Sequence, residues 1–274
     1  MDGWGSGGGH RYRADVRVAT WNVNSLKARL PRVERWLAEI RPDVLCLQET
    51  KSTDDAFPAM AFAGLGYESV HHGEGRWNGV AIVSRVGVED VVDGFVDGVA
   101  HDDEARLLTA TCGGVRVSTV YVPNGRQVGH EHWHYKLGWL ARLREHVAAV
   151  ADPGADAVVL GDFNVAPDDR DVWDATACHG GTHVSAEERA ALADLCDWGL
   201  VDVFRRRYQQ DRLFTWWDYR AGNFHKHLGM RIDLMLATEP LAERLSWVLV
   251  DRNARKGSQP SDHAPLVAEF ADRP

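Results

Sequence analysis

The sequence predicts an α/β fold of mixed sheets covered by helices, on three observations. The chain opens strand, helix, strand, which is a βαβ-like beginning. Later strand candidates follow one another closely enough to pair as hairpins, as across Gly113-Gly114. Hairpins mixed with helix-separated strands speak against a purely parallel, doubly wound sheet. Past a glycine-rich stretch, no repeat, linker or composition break divides the 274 residues. One domain over residues 16–274, behind a flexible tail over residues 1–15, is the expected organisation.

Val16 to Trp21 alternates and is rich in branched and aromatic residues, so it reads as the first strand. Ser25 can cap a helix from about Leu30 to Ile40, with Leu30, Val33, Leu37 and Ile40 at helical spacing. Pro31 is tolerated near its start and Pro42 ends it. Val44 to Leu47 is short and wholly apolar, the mark of a buried strand. Further strands are expected at Gly79 to Ser84, Leu107 to Thr111, Val115 to Val122, Ala157 to Leu160, Arg231 to Ala237, Ser246 to Val250 and Pro265 to Phe270. Helices are expected near Tyr135 to Val150 and Ala186 to Trp198.

With 45% hydrophobic and 26% charged residues, the composition excludes wholesale disorder. No run approaches the ~18 apolar residues of a membrane helix, and residues 1–9 lack the apolar region of a secretory signal. Cys46, Cys112, Cys178 and Cys196 form no C-x-x-C pair, as expected of reduced thiols in the cytoplasm. The net charge of −9 argues against a polyanionic partner, but its distribution does not. Arg85 to Glu104 holds seven acidic residues and one basic, and is expected to face solvent. Arg205 to Pro260 holds eleven basic and six acidic, so one end of the molecule can meet a polyanion.

Apolar strands in this chain repeatedly end in polar residues. The segments are Trp21-Asn22-Val23-Asn24, Gln48-Glu49, Tyr121-Val122-Pro123-Asn124-Gly125 and Gly161-Asp162-Phe163-Asn164. Arg231-Ile232-Asp233 and Ser261-Asp262-His263-Ala264-Pro265 stand at strand starts. Any one of these is ordinary turn chemistry; six together suggest reactive groups gathered where rigid elements hold them. Glu49, Asp162 and Asp262 are hard oxygen ligands suited to Mg2+ or Mn2+, with Asn22 and Asn164 as neutral partners. Zinc would want cysteine or histidine at short spacing. His263, with Asp262 beside it or Asp233 elsewhere, can form a carboxylate-oriented imidazole, and Tyr121 can donate to or, as phenolate, stabilise a charged centre. Such a set suits attack on a phosphodiester.

These segments, together with Leu47-Gln48-Glu49-Thr50-Lys51 and Phe214-Thr215-Trp216-Trp217-Asp218-Tyr219, resemble in order the exonuclease III family of DNA-repair nucleases, within the endonuclease/exonuclease/phosphatase superfamily. The resemblance runs from Val16 to Phe270. It implies a four-layer α/β sandwich, two mixed β-sheets packed face to face and flanked by helices. It implies Glu49 as the main metal carboxylate, helped by Asn22 and Asp262, and Asp162 as general base or orienting carboxylate. Asn164 would align water and phosphate, while His263, paired with Asp233, and Tyr121 would stabilise charge on the phosphate. Asn24 and Asn124 would contact substrate, and Trp216, Met230 and Ile232 would wall a pocket for a base-less sugar. Met230 stands where some relatives carry tryptophan, which implies a softer pocket. The implied activity is that of a Mg2+-dependent nuclease, with Mn2+ as a substitute. Its substrate would be double-stranded DNA, cut 5′ to abasic sites and trimmed of nucleotides or blocking groups at 3′ ends. The implied protein is a cytoplasmic monomer.

Two rivals share parts of the set. A phosphatase for a small molecule or lipid head group would use the same metal and imidazole, and the pI of 5.8 is compatible with it. A DNA-end binder without catalysis would have no need of Glu49, Asp162, Asp233 and His263 together. Trp217 reads equally as core or pocket. His130, His132 and His134 read as a polar loop before a helix, since no carboxylate or cysteine cluster completes a metal site. Arg205-Arg206-Arg207 reads as a solvated run or a phosphate patch. Lys51 and Arg126, beside the catalytic segments, are the better candidates for DNA backbone contact.

Overall fold

In the computed structural model, which describes residues 15–99, 102 and 104–273, twelve strands among the described residues form two six-stranded sheets. The first holds, in spatial order, β11 (Leu245–Val250), β12 (Leu266–Phe270), β1 (Val16–Asn22), β2 (Val44–Gln48), β4 (Val80–Ser84) and β3 (Glu68–His72). The second holds β5 (Glu89–Asp93), β6 (Leu107–Cys112), β7 (Val115–Tyr121), β8 (Ala157–Asp162), β10 (Asp233–Thr238) and β9 (Leu200–Asp202). Each sheet has one parallel pair, β1 with β2 and β7 with β8, and antiparallel neighbours otherwise. A parallel pair requires a crossover. Helix α1 (Leu26–Ile40) makes the first and α3 (Glu131–Val150) the second, with α2 (Ala59–Gly64) and α4 (Ala186–Asp197) completing the outer layers. The expected four-layer sandwich is the observed fold.

Strand alternation builds the layers. Val16 and Val18 of β1 face the space between the sheets, whereas Ala19 and Trp21 face α1. On β2, Val44 and Cys46 point inward, Leu45 and Leu47 outward. Val158 and Leu160 of β8, and Met235 and Ala237 of β10, also point inward, opposite Val159, Leu234 and Leu236. Carried to the strand ends, the same period of two places Asn22, Gln48, Tyr121, Asp162 and Asp233 on inward positions at one edge of the shared core. Gln48 ties the sheets together there, its amide donating to Thr20 Oγ1 at 2.8 Å and across the core to Thr119 Oγ1 at 2.9 Å. Gly161, with φ of 145°, lies so close to β7 that a Cβ would stand 2.0 Å from the Val120 carbonyl oxygen. Only glycine lets Asp162 follow in this register.

Several boundaries differ from the sequence reading. Helix α1 starts at Leu26, and Ser25, with φ of 87°, makes no side-chain cap. The cap is tertiary instead: the Ser25 and Leu26 N–H groups donate to the Glu49 and Thr50 carbonyls at 2.7 and 3.0 Å. Helix α3 starts at Glu131, capped by His130 Nδ1, which accepts the His132 N–H at 3.1 Å. Strand β10 starts at Asp233; before it the Arg231 N–H donates to the Asp171 carbonyl at 2.8 Å, and the buried guanidinium pairs with the Asp171 and Asp202 carboxylates, each at 2.7 Å. β3, β5 and β9 are sheet edges whose polar or very short sequences give little strand signal. The tail over residues 1–15 lies, but for Asp15, outside the described residues, as do Ala100, His101 and Asp103 of the acidic stretch. Within that stretch β5 is largely exposed, as expected. No described helix is long and apolar enough to cross a membrane.

His146 on α3 is buried, with Nδ1 accepting the Val96 N–H at 3.1 Å and Nε2 3.0 Å from Thr109 Oγ1. Burial, then the charge of Arg116, lowers its pKa from 6.5 to about 4. The unfolded chain therefore takes up this proton first, so the contribution is intact above pH 6.5 and lost as pH falls toward 4. Over that window the loss is about 3 kcal/mol. Denaturant unfolding as a function of pH should show a shallower acid slope for His146→Asn than for wild type. Equal slopes would mean that another group carries the proton.

Candidate active site

At the polar edge of the inter-sheet layer the strand ends converge. Asp233 and Tyr121 are both register partners of Asp162, and Asn22 is the partner of Gln48. Asn22 Nδ2 joins the sheets, donating to Glu49 Oε1 at 2.8 Å and Asp162 Oδ2 at 3.0 Å. His263 arrives from the loop before β12, held by Trp21 Nε1, which donates to its carbonyl at 3.2 Å, and by the Ser261 hydroxyl bonded to the Asn22 carbonyl at 2.7 Å. Its Nδ1 lies 2.8 Å from Asp233 Oδ2, and its Nε2 faces Asp162 Oδ2 at 3.8 Å. Asp162 Oδ1 accepts the Asn164 N–H at 2.9 Å. Glu49, Asp162 and His263 offer ligand-capable atoms within 4.8 Å of one another. The turns that carry these groups are strained: φ is 43° at Asn24, 53° at Glu49, 51° at Lys51, 57° at Arg126 and 49° at Asn164.

Burial is the largest single influence on these groups, and it decides the direction at Asp162 and Tyr121 but not at His263 or Asp262. It raises Asp162 to about 7, assisted by Asp233 and Glu49 and opposed by His263 and the Asn164 amide. Burial alone would depress His263, but the carboxylates of Asp233 and Asp162 prevail and raise it to about 10. Near neutral pH the imidazole is thus a cation anchored by Asp233, while Asp162 titrates in that same range. Burial and the neighbouring Glu49 push the Tyr121 phenol well above its usual value, although the Arg106 guanidinium lies 4.6 Å from the ring centroid. Burial thus favours the neutral phenol of the two forms the sequence left open. Asp262 stays below the ordinary carboxylate value, because His263 and bonds from Trp216 and Asn24 outweigh its burial.

Other expected residues take more specific places. Asn22 turns its NH2 to the carboxylates, while its oxygen accepts the Asn24 N–H at 3.0 Å. In this arrangement its nitrogen links Glu49 to Asp162. Asp262 falls outside the three-residue cluster, its two oxygens accepting Asn24 Nδ2 and Trp216 Nε1, both at 3.1 Å. Lys51 is turned inward, 2.9 Å from Glu49 Oε2 and donating to Asn24 Oδ1 at 2.6 Å. Asn124 Nδ2 donates to Asn164 Oδ1 at 3.4 Å, and Arg126 is exposed beside it. Trp216 and Met230 pair through their backbones and pack, half-buried, with Ala166 and Val172 over the buried Ile232, which is a floor more than a wall.

Of its two readings, Trp217 takes that of core, being fully buried. Arg205 pairs with Asp171 and Arg206 with Glu239, so two of the three consecutive arginines already have protein partners. The three histidines differ from their sequence reading: His132 and His134 lie inside α3, not in a loop before it, and Glu131 puts a carboxylate within metal-binding range of His130 and His132, although His130 spends Nδ1 on capping the helix. An apolar depression of about 390 Å³ between Phe204, Leu213, Phe214 and Leu249 contains none of the converging residues. Sequence reasoning missed Lys136, Glu188 and His183, which lie directly behind Asn124 and Asn164. A lysine at helical spacing among Trp133, Trp139, Leu140 and Leu143 was the available signal.

The endonuclease/exonuclease/phosphatase family pattern matches residues 19–263. Exodeoxyribonuclease III of Haemophilus influenzae is 33% identical over 270 residues, covering 93% of this chain and all of that protein. An AP endonuclease from Archaeoglobus fulgidus superposes with a TM-score of 0.90 at 40% identity, over 93% of this chain and 99% of its own. The 3′ phosphatase NExo from Neisseria, solved with a product DNA hairpin, gives a TM-score of 0.90 at 41% identity, over 94% of this chain and all of its own. With this fold, and with its acidic and cationic groups at one sheet edge, the chain belongs to the endonuclease/exonuclease/phosphatase family and to the exodeoxyribonuclease III-like hydrolytic nucleases within it.

Proposed function

We propose that this protein is a DNA-repair nuclease acting on double-stranded DNA, at 3′ ends and on the 5′ side of abasic sites, with Mg2+ as its cation and Mn2+ as a substitute. The observation that carries the reading is the meeting of Glu49, Asp162 and His263 within 4.8 Å, beside the half-buried apolar patch of Trp216 and Met230. Exonuclease, abasic-site and 3′-phosphatase reactions all break a bond between phosphorus and a 3′ oxygen, so one site can serve all three.

In this reading Asp162 takes the proton from the attacking water, and Asn164 aligns that water with the phosphate. The His263 imidazolium, oriented by Asp233, meets the non-bridging oxygens together with the Asn124 amide and the Tyr121 hydroxyl. Glu49, with Asp162, would hold a divalent cation. The donor set fits Mg2+, being hard carboxylate oxygen with no cysteine and an imidazole already committed to a proton. When bound, that cation supplies charge neutralisation at the phosphate. Asn22, Asn24, Lys51 and Asp262 fix the carboxylates and Trp216 in place, and the exposed Arg126 reaches the DNA backbone. A bare sugar fits against Trp216 and Met230, and an attached base is excluded sterically. The protein works as a cytoplasmic monomer, a location supported by its four free thiols. Nothing at the site specifically favours a small-molecule or lipid phosphatase.

A labelled duplex with one abasic analogue should be nicked in Mg2+ and left intact in EDTA; nicking in EDTA, or none in Mg2+, defeats the reading. Asp162→Asn should retain its melting temperature and lose at least about 100-fold in kcat. Trp216→Ala should reduce kcat/KM on the abasic duplex by roughly 10- to 100-fold, the worth of the lost aromatic surface. Wild-type abasic cleavage by that variant would remove Trp216 from the pocket.

A further inference from the structure

We infer that the buried Lys136–Glu188 ion pair is a positioning device for the reaction, fixing the turns that carry Asn124 and Asn164 around the phosphate. The inference rests on the nuclease reading above. Both side chains are wholly buried, Lys136 on α3 and Glu188 at the third residue of α4. The ammonium has three protons and three acceptors: Glu188 Oε1, the Asn164 carbonyl at 2.6 Å and the Asn124 carbonyl at 3.4 Å.

Glu188 gathers the segment leading into α4. Its Oε1 accepts the His183 N–H at 3.0 Å, and its Oε2 accepts the Ser185 N–H at 3.1 Å and hydroxyl at 2.7 Å. The Thr182 hydroxyl lies 3.0 Å from both Glu188 Oε1 and the Asn124 carbonyl. His183 Nδ1 bonds the same Asn164 carbonyl that Lys136 holds. The turn after Asn124 is shaped around the lysine stem: Gly125 has φ of 87°, and a Cβ there would sit 3.1 Å from Lys136 Cδ.

A buried ion pair is often no more stabilising than apolar side chains of equal volume. Apolar residues, however, could not hold two carbonyls from the loops after β7 and β8 at one point. Those carbonyls belong to the residues whose side chains meet at 3.4 Å in the site, so turning either peptide displaces the amides. Lys136 and Glu188 are buried behind the asparagines and act through them.

The test is the Lys136→Met/Glu188→Gln double variant, which removes both charges and leaves neither buried alone. On the abasic duplex in Mg2+, kcat should fall by about 10- to 100-fold while KM changes less than about threefold. In an Asn124→Ala/Asn164→Ala background the same pair of substitutions should cost less than about threefold, because its effect runs through those two residues. Without DNA, amide hydrogen exchange at residues 124–126 and 164–166 should quicken. Wild-type kcat, a loss that multiplies in full with that of Asn124→Ala/Asn164→Ala, or unchanged exchange would each overturn the inference. If the double variant does not fold, Glu188→Gln alone is read by the same three measurements. A wild-type protein that cleaves no DNA in Mg2+ would instead defeat the nuclease reading, and the exchange measurement would then decide the clip.

Discussion

The dry layer between the two sheets is the constraint on which the site depends. Inward positions along β1, β2, β7, β8 and β10 are apolar for most of their length, and the sheets cohere by burying them against each other. At one edge the same positions become Asn22, Gln48, Tyr121, Asp162 and Asp233. These side chains therefore stand in low-dielectric surroundings on rigid elements, where charge interacts strongly and reorganises little. The stability of the core and the reactivity of the edge come from one alternating pattern.

Such an edge is costly, since buried carboxylates are tolerated only when paired or hydrogen-bonded. Each has compensation here. Glu49 has Lys51 and the Asn22 amide, Asp233 has His263, and Asp162 has the Asn164 N–H and Asn22. The chain also accepts left-handed backbone at Asn24, Glu49, Lys51, Arg126 and Asn164, a local strain concentrated at the turns that bear these groups. That crowding raises Asp162 to about 7 and His263 to about 10, so the imidazolium keeps its proton over a range in which the carboxylate loses its own.

Much of this was legible in the sequence because apolar strands that stop at carboxylates and amides leave a local trace. Glu49 after Leu47-Gln48, and Asp162-Phe163-Asn164 after Leu160, could be read without a structure. What could not be read is set by contacts between distant segments. Helix α1 begins four residues before the Leu30 start read from its apolar spacing because carbonyls from the turn after β2 cap it. The amide direction of Asn22 depends on Asn24 and two carboxylates, so its residue type alone suggested a ligand. Edge strands such as β5 carry charge where a central strand carries valine, and their pattern is correspondingly faint. Lys136 was visible as an anomaly on a buried helix face, but its three acceptors belong to other elements.

The same network joins the apolar patch of Trp216 and Met230 to the acidic cluster. Met230 and Trp216 exchange backbone hydrogen bonds at 2.9 Å; the Trp216 indole donates to Asp262, and Asp262 accepts the amide of Asn24. Asn24 in turn accepts from Lys51, which pairs with Glu49. A displacement of the apolar patch is thereby transmitted through polar contacts of 3.1 Å or less to the carboxylate at the centre of the site. Each link is half-buried or better, so water competes poorly for it. A pocket and an acid cluster on separate loops could drift independently. Tied in series across the sheet edge, the patch and the carboxylates hold one geometry relative to each other.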